Sequence, residues 1–319
     1  MRLYPSLEQV QTPPSSGRAV AIGVFDGVHR GHQRILRRAV EWAAAGGASS
    51  TAVTFYPHPE TVLRPRGAPK MLTSLERKTA LLEELGLDEV VVVRFDEDFA
   101  RLSPEAFCRA VLSARLGARV VFVGENFRFG YQGTGVVADL LEYGSTHDFG
   151  VQAVSLVEEA GEIVSSTRIR ALLRAGHVKE AARLLGRPHR LEGTVASGAG
   201  RGRQLDAPTA NLPYGRDTAL PRSGVYATLS VVDGSEPRLS VTSVGTNPTF
   251  ESDHKIRVET LILDYSGDLY GRHLAVDFVD RIRGQEVFPD ADSLAGQIKD
   301  DVAAARRLHA AASGAKEGS

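Results

Sequence analysis

Two histidines, His29 and His32, are separated by Arg30 and Gly31 at the end of the stretch GVFDGVHRGH, residues 23 to 32. Imidazoles at that spacing can address one phosphate, and hydrogen-bonding or protonated rings there would stabilise the charge that develops in phosphoryl or nucleotidyl transfer. The surrounding residues favour this use. AVAIGVF reads as a buried strand, the glycines as a turn, and the residues from about Gly31 as a helix. In an open α/β sheet such a turn lies at the carboxyl edge of the strands, where ligands bind, and the helix start favours anions. Gly27 and Gly31 permit close backbone approach to a ligand. Taken singly, either histidine would read as a core or surface residue, but the pair at a strand-to-helix turn favours a phosphate site.

The elements that must position this turn follow from the hydrophobic pattern. Between residues 18 and 156, short apolar runs (AVAIGVF, STAVTF, EVVVVRF, RVVFVG, VQAVSL) alternate with amphipathic stretches at 31–45, 74–86 and 103–115 and with a looser helix before the last run. Near-continuous Val/Ile/Leu runs between helices predict a parallel sheet with helices on both faces, a doubly wound α/β domain. Helices are expected at 167–175 and 178–185, and GRPH then breaks the pattern, which places a boundary near residue 187. Beyond it RLEGTVAS, GVYATLSVV, PRLSVTSVG, IRVETLILDY and HLAVDFVDRIR are strands with Gly, Pro and Asp turns between them, the pattern of a small antiparallel β-barrel. One amphipathic helix, LAGQIKDDVAAARRLHAAA, closes the chain. The expected domains are thus 1–186 and 187–319.

Bulk properties narrow the function. The 319 residues are 42% hydrophobic and 24% charged, and 38 Lys+Arg against 39 Asp+Glu leave a formal net charge of -1. A balanced chain lacks the clustered positive charge that long nucleic acids require, so the expected partners are small molecules and not nucleic acid. No apolar run approaches the ~20 residues of a membrane span, which predicts no membrane partner. The single cysteine, Cys108, excludes an intramolecular disulfide and a Cys-based zinc site, and PEAFCRAVL reads as a helix with a half-buried thiol. With an N-terminus lacking a hydrophobic signal core, these features predict a cytoplasmic protein. The oligomeric state, self-association included, stays open.

Other residues have suitable chemistry at suitable places. Ser165, Ser166, Thr167 and Arg168 open a predicted helix; their hydroxyls, the helix-start amides and the guanidinium suit a pyrophosphate, and a plain helix cap is the alternative. Asn126 follows a predicted strand at the ligand edge; Phe127 and Phe129 could enclose a flat ring or sit in the core, and Arg128 could meet a phosphate or water. His58 lies in the stiff turn PHP and is either structural or a ligand contact.

GVFDGVHRGH resembles the HxGH motif of the nucleotidylyltransferase superfamily. TFYPHPETVLRP, MLTSLERKTALLEELGLDEVVVVRFDEDFARLSPEAF, VVFVGENFRFG and VSSTRIRALL resemble the adenylyltransferase module of the bacterial bifunctional riboflavin kinase/FAD synthetase family, and the match extends from about residue 18 to 305. The resemblance implies transfer of AMP from ATP to FMN, giving FAD and pyrophosphate. It makes His29 and His32 the catalytic pair at the α-phosphorus. It makes the turn residues Gly23, Phe25, Asp26, Gly27 and Gly31, with Ser165, Ser166, Thr167 and Arg168, the ATP and phosphate binders. His58, Asn126, Phe127, Arg128 and Phe129 become the flavin contacts.

In the second domain GTVASGAGRGRQLDAPTANL passes through Gly198, Gly200 and Gly202. The spacing is GxGxG with no following helix, and no P-loop occurs, so a dinucleotide or Walker site is unsupported. Such a hairpin is a solvent loop or a phosphate cradle. PTAN, SVGTNPTF, VETLILDY and DLYG resemble riboflavin kinase, which implies that Gly198, Gly200, Gly202 and Arg203 cradle ATP phosphates. By the same resemblance Thr209 and Asn211 hold Mg²⁺ and Glu259 is the catalytic base toward the riboflavin 5′-hydroxyl. Read alone, Glu259 is an exposed strand residue. Several positions depart from the family pattern: Asp206 and Ala207 replace Gly and Phe before PTAN, Gln285 stands for an acid, Leu261 for a histidine and His189 for a tyrosine.

The expected protein is a two-domain enzyme of FAD biosynthesis that uses ATP and Mg²⁺ and handles riboflavin, FMN and FAD. The alternatives are an FMN adenylyltransferase whose barrel only binds flavin, a non-catalytic flavin sensor or regulator, and a nucleotidylyltransferase for another acceptor.

Overall fold

The computed structural model describes residues 1–196, 209–246 and 256–314. The chain divides into two compact units, Met1–Ser166 and Thr167–Ser319.

The first unit is built on six parallel strands: β1 (Arg2–Tyr4), β2 (Arg18–Ile22), β3 (Ser49–Tyr56), β4 (Glu89–Arg94), β5 (Ala118–Gly124) and β6 (Gly150–Val154). Their order is β1-β4-β3-β2-β5-β6, and every pairing is parallel. β2 is central, so the direction of winding reverses there. The side chains of β2 alternate between two cores: Ala19 and Ala21 pack with Leu36, Ala39 and Leu82, whereas Val20 and Ile22 pack with Cys108, Leu112 and Leu140. Each face is therefore sealed by helices, which is why these strands read as unbroken apolar runs.

The covering helices are α1 (Arg30–Gly46), α2 (Pro59–Leu63), α3 (Leu75–Glu84), α4 (Glu97–Ala100), α5 (Pro104–Ala106, continued by π-type turns through Arg115) and α6 (Val137–Thr146). The strands β3 to β6 and the long helices lie where periodicity places them. Strand β1 was not expected; three residues give no periodic signal, and parallel pairing of Arg2, Leu3 and Tyr4 with Glu89, Val90 and Val91 decides it. Cys108 is fully buried, deeper than its sequence suggested, and burial pushes its thiol up to about 12. After β6 a small hairpin, β7 (Glu158–Glu159) and β8 (Glu162–Ile163), leads to α7 (Ser166–Ala175) and α8 (Val178–Leu185).

The second unit is an antiparallel sheet in the order β10-β13-β12-β11-β14-β9, from β9 (His189–Thr194), β10 (Thr209–Asn211), β11 (Gly224–Val232), β12 (Arg238–Gly245), β13 (Arg257–Ile262) and β14 (His273–Arg283). A bridge between Ala196 and Asn211 joins the two ends of this order, so the sheet curls back on itself into a small barrel. The terminal helix α9 (Ala291–Gly314) packs through Ala305, Val302 and Leu308 on Val225, Ala227 and Val241. Arg283 anchors it with two 2.8 Å hydrogen bonds to the buried Asp301. The strand residues alternating with that face carry Tyr226, Thr228, Thr242 and Thr260 on the opposite side.

Candidate active sites

The first site is one turn and what fixes it. Residues 23 to 29 leave the carboxyl end of β2, with Phe25 at φ 50, Gly27 at φ 82 and Val28 at φ 40. Positive φ at Phe25 and at a β-branched valine is costly, and such residues persist only where surrounding structure imposes them. The backbone groups of the turn are held from behind. The Val24 carbonyl accepts from Lys78 Nζ (2.8 Å) and Thr54 Oγ1 (2.9 Å); the Asp26 carbonyl accepts from Ser166 Oγ (2.9 Å); the Val28 carbonyl accepts from Gln33 Nε2 (2.9 Å). The Gly27 N–H donates to Thr73 Oγ1 at 3.2 Å.

Asp26 is buried, and its carboxylate accepts the Leu72 N–H at 3.0 and 3.1 Å and the Thr73 N–H at 3.3 Å. It ties the turn to residues 72–73. Phe25 is fully buried with its ring edge-on to His32, at 5.3 Å between centroids. A side chain at Gly23 would strike that ring, since a Cβ there falls 2.8 Å from Phe25 Cε1.

This frame brings the two histidines together. His29 caps α1, its Nδ1 accepting the His32 N–H at 3.3 Å, and the rings stack at 3.5 Å with 19° between planes. Acceptance at Nδ1 leaves Nε2 as the protonated, donating nitrogen of a neutral His29 ring. Two imidazoles face to face beside a helix N-terminus favour an anionic partner. Gly31 keeps this approach open: a Cβ there would lie 3.1 Å from His29 Cε1, so the ring would have to shift. Ser165 precedes α7 and Ser166 begins it, its hydroxyl bonded to the turn; Thr167 and Arg168 follow on the same helical turn, Thr167 exposed.

The flavin candidates divide. Asn126 and Arg128 are exposed just beyond β5, the neighbour of β2, so they lie at the edge where the winding reverses. Phe127 is half-buried and stacks at 5.7 Å on Phe129, which is a core residue against Phe107. His58 caps α2 through Nδ1, which accepts the Glu60 N–H at 3.1 Å, just after the cis Tyr56–Pro57 bond.

Lys78 is the residue that motif reading passed over. Its ammonium is buried under the turn, within 3.3 Å of Thr54 Oγ1, and burial pulls it down to about 8 against the opposing pull of Asp26. A signal was present: Lys78 occupies the apolar stripe of α3 with Leu81, Leu82 and Leu85, where a charge has no place without a partner.

The second site is set by strand register. Asn211 is paired directly with Glu259, and Thr209 with Leu261, so these four lie on one face of β10 and β13. Ser243 of β12 is the partner of Glu259 on its other side. Gln285, beyond β14, donates to Ser243 Oγ (2.9 Å) and to the Val244 carbonyl (3.2 Å), which brings one departing residue beside the row containing Glu259. His189 is buried, its Nε2 3.0 Å from the Ala219 carbonyl. Gly198, Gly200, Gly202, Arg203, Asp206 and Ala207 lie outside the described residues.

A doubly wound parallel sheet with a histidine pair at its switch point, followed by a curled antiparallel barrel, defines a nucleotidylyltransferase joined to a second, smaller nucleotide-handling domain. Comparison with known proteins makes this particular. A family model described as FAD synthetase matches residues 11–168, and one described as riboflavin kinase matches residues 185–309. The bifunctional riboflavin kinase/FMN adenylyltransferase of Pseudomonas fluorescens is 39% identical over 97% of this chain and 98% of its own. The protein of that name from Listeria monocytogenes is 37% identical over 89% and 90%. A crystal structure described as a macrolide-efflux protein from Streptococcus pneumoniae, 31% identical, matches 96% of this chain and 99% of its own with a TM-score of 0.85. The chain belongs to the bifunctional riboflavin kinase/FMN adenylyltransferase family.

Proposed function

We propose that this chain makes FAD from riboflavin in two ATP-dependent steps. In the first, the riboflavin 5′-hydroxyl oxygen attacks the γ-phosphorus of ATP, its proton passes to Glu259, and ADP leaves with FMN formed. In the second, an FMN phosphate oxygen attacks the α-phosphorus of ATP and pyrophosphate leaves. The observation that carries the reading is the stacked pair His29 and His32 at the end of β2, in a chain that matches FAD synthetase over residues 11–168 and riboflavin kinase over 185–309.

His29 and His32 would steady the α-phosphate as charge develops. Gly23, Phe25, Asp26, Gly27 and Gly31 shape the turn that receives the polyphosphate, and Ser165, Ser166, Thr167 and Arg168 would take the leaving pyrophosphate. Asn126, Arg128 and Phe127 would meet the flavin. Phe129 and His58 would act behind them, Phe129 from the core and His58 as a helix cap.

In the barrel, Thr209 and Asn211 offer hard oxygen donors beside Glu259, a donor set suited to Mg²⁺ shared with ATP phosphates. When bound, Mg²⁺ supplies charge neutralisation on those phosphates. Gly198, Gly200, Gly202 and Arg203 complete the proposed phosphate cradle. We place the functional boundary at 186/187, where Gly186 at φ 75 ends α8, and the protein in the cytoplasm. Among the described residues no helix is long and apolar enough to cross a membrane.

The test is incubation with riboflavin, ATP and Mg²⁺, with FMN as a parallel starting substrate, and chromatographic separation of the flavins. FAD from both establishes two working sites. FAD from FMN alone reduces the barrel to a flavin-binding module, and FAD from neither overturns the proposal.

A further inference from the structure

The strained turn is held by side chains from elsewhere in the chain, and two of them, Thr54 and Lys78, have so far had no part in adenylyl transfer. The donors come from distant chain segments: Thr54 and Lys78 to Val24, and Ser166 to Asp26. Thr54 and Ser166 are neutral hydroxyls that cost little to bury. Lys78 is different. A lysine with 6% of its surface exposed, on the apolar stripe of a helix, is expensive, and a methionine or leucine would fill the same space. Thr54 already satisfies the Val24 carbonyl, so the hydrogen bond alone does not explain the charge.

We infer that Lys78 is a positioning residue for FMN adenylylation, whose buried ammonium, bonded to the Val24 carbonyl, fixes the histidine turn and adds positive charge behind it. The inference rests on the adenylyltransferase reading above. Physically, a turn containing Phe25 and Val28 at positive φ tends to relax. A second donor on Val24 opposes that relaxation where His29 and His32 must keep their stacking. The positive charge also lies on the side of the turn away from solvent, where it is weakly screened and acts on the anion bound in front.

The charged groups around Lys78 are few. From the turn, Asp26 favours the ammonium; β3 presents the uncharged Thr54; burial is the dominant influence and lowers the ammonium to about 8. Lys78 is thus charged in the folded protein below about pH 8 and loses its proton as pH rises through that value, whereas in the unfolded chain it stays charged to the ordinary 10.5. The cost of burying the charge is fully present below pH 8 and fades between about 8 and 10.5. Burial thus opposes the charge at neutral pH, and the bonds to the Val24 carbonyl and Thr54 Oγ1 hold the ammonium there.

The experiment uses the full chain. Lys78→Met is expected to lower kcat for FAD formation from FMN at least tenfold at pH 7.5, to leave riboflavin phosphorylation within twofold, and to leave the melting temperature unchanged or raised. Thr54→Val, which removes a partner of the ammonium, is expected to shift the alkaline fall of parental FAD formation to lower pH. Parental failure to form FAD from FMN would sink the adenylyltransferase reading itself. With an active parent, Lys78→Met activity within threefold of the parent overturns the inference. So does a loss accompanied by a melting temperature lowered by several degrees, or an alkaline limb that Thr54→Val does not move.

Discussion

The two units reach nucleotide chemistry by opposite routes. In the parallel-sheet unit the proposed histidine pair lies within one short turn, which side chains from distant segments hold. Among the described residues of the barrel, the proposed Asn211 and Glu259 and their neighbour Ser243 come from three strands and are aligned by register. Their interiors differ as well. Val, Ala, Leu and Phe fill both cores around the parallel sheet, whereas the barrel encloses a chain of hydroxyls. Ser230 donates to Ser240, Ser240 meets Thr228, and Thr228 meets Thr242, each at 2.8 Å; Thr242 meets Thr260 at 3.0 Å. The lesson is that a site made by one turn depends on the strain stored there, and a site made by register depends on whatever fixes the strands. Buried hydroxyls do that well, because a slipped strand leaves them without partners.

The contrast breaks most sharply if the two activities fail to separate. His32→Ala is expected to cut FAD formation from FMN by roughly two to three orders of magnitude and to spare riboflavin phosphorylation. Glu259→Gln should do the reverse, with a loss of ~10²–10⁴ in the kinase step, the range for a general base. Steady-state rates of both reactions on both variants decide it, and either substitution silencing both reactions would contradict independent sites.

A smaller effect probes the turn itself. Gly31→Ala places a methyl group 3.1 Å from His29 Cε1, so the ring must move by a few tenths of an ångström. FAD formation is expected to fall by about tenfold, since misplacement of a positioned group costs up to ~10²-fold. Unchanged kcat with unchanged binding of ATP would show that the ring has room.

The smallest effect probes register. Thr242→Val removes the hydroxyl joining Thr228 to Thr260; Thr228 keeps Ser240, and Thr260 loses this buried partner. The expected cost is about 1–3 kcal/mol of stability, measured by denaturant unfolding, with kinase activity reduced only as far as the strands shift.

How much of this was legible beforehand follows from the range of each interaction. The α/β order, α7 and α8, and the histidine turn were readable because apolar periodicity, glycine placement and HxGH spacing are local properties of the chain. The sequence reads Cys108 as half-buried and leaves Phe129 between a ring contact and the core; both are core residues, because adjacent helices seal the face that one helix or loop leaves open. Strand β1 was invisible, since its three residues gain their structure from β4.

The sequence by itself determined the long helices, strands β2 to β6, the two-domain plan and the residues of the histidine turn, because each is encoded within a few neighbouring positions. Only the tertiary structure decided which groups hold that turn and which strands share a face. The partner of Val24 lies 54 residues away at Lys78, and that of Glu259 lies across the β10–β13 pairing at Asn211. Burial gives those partnerships their force: a charge or hydroxyl removed from water must find its partner, wherever in the chain that partner stands.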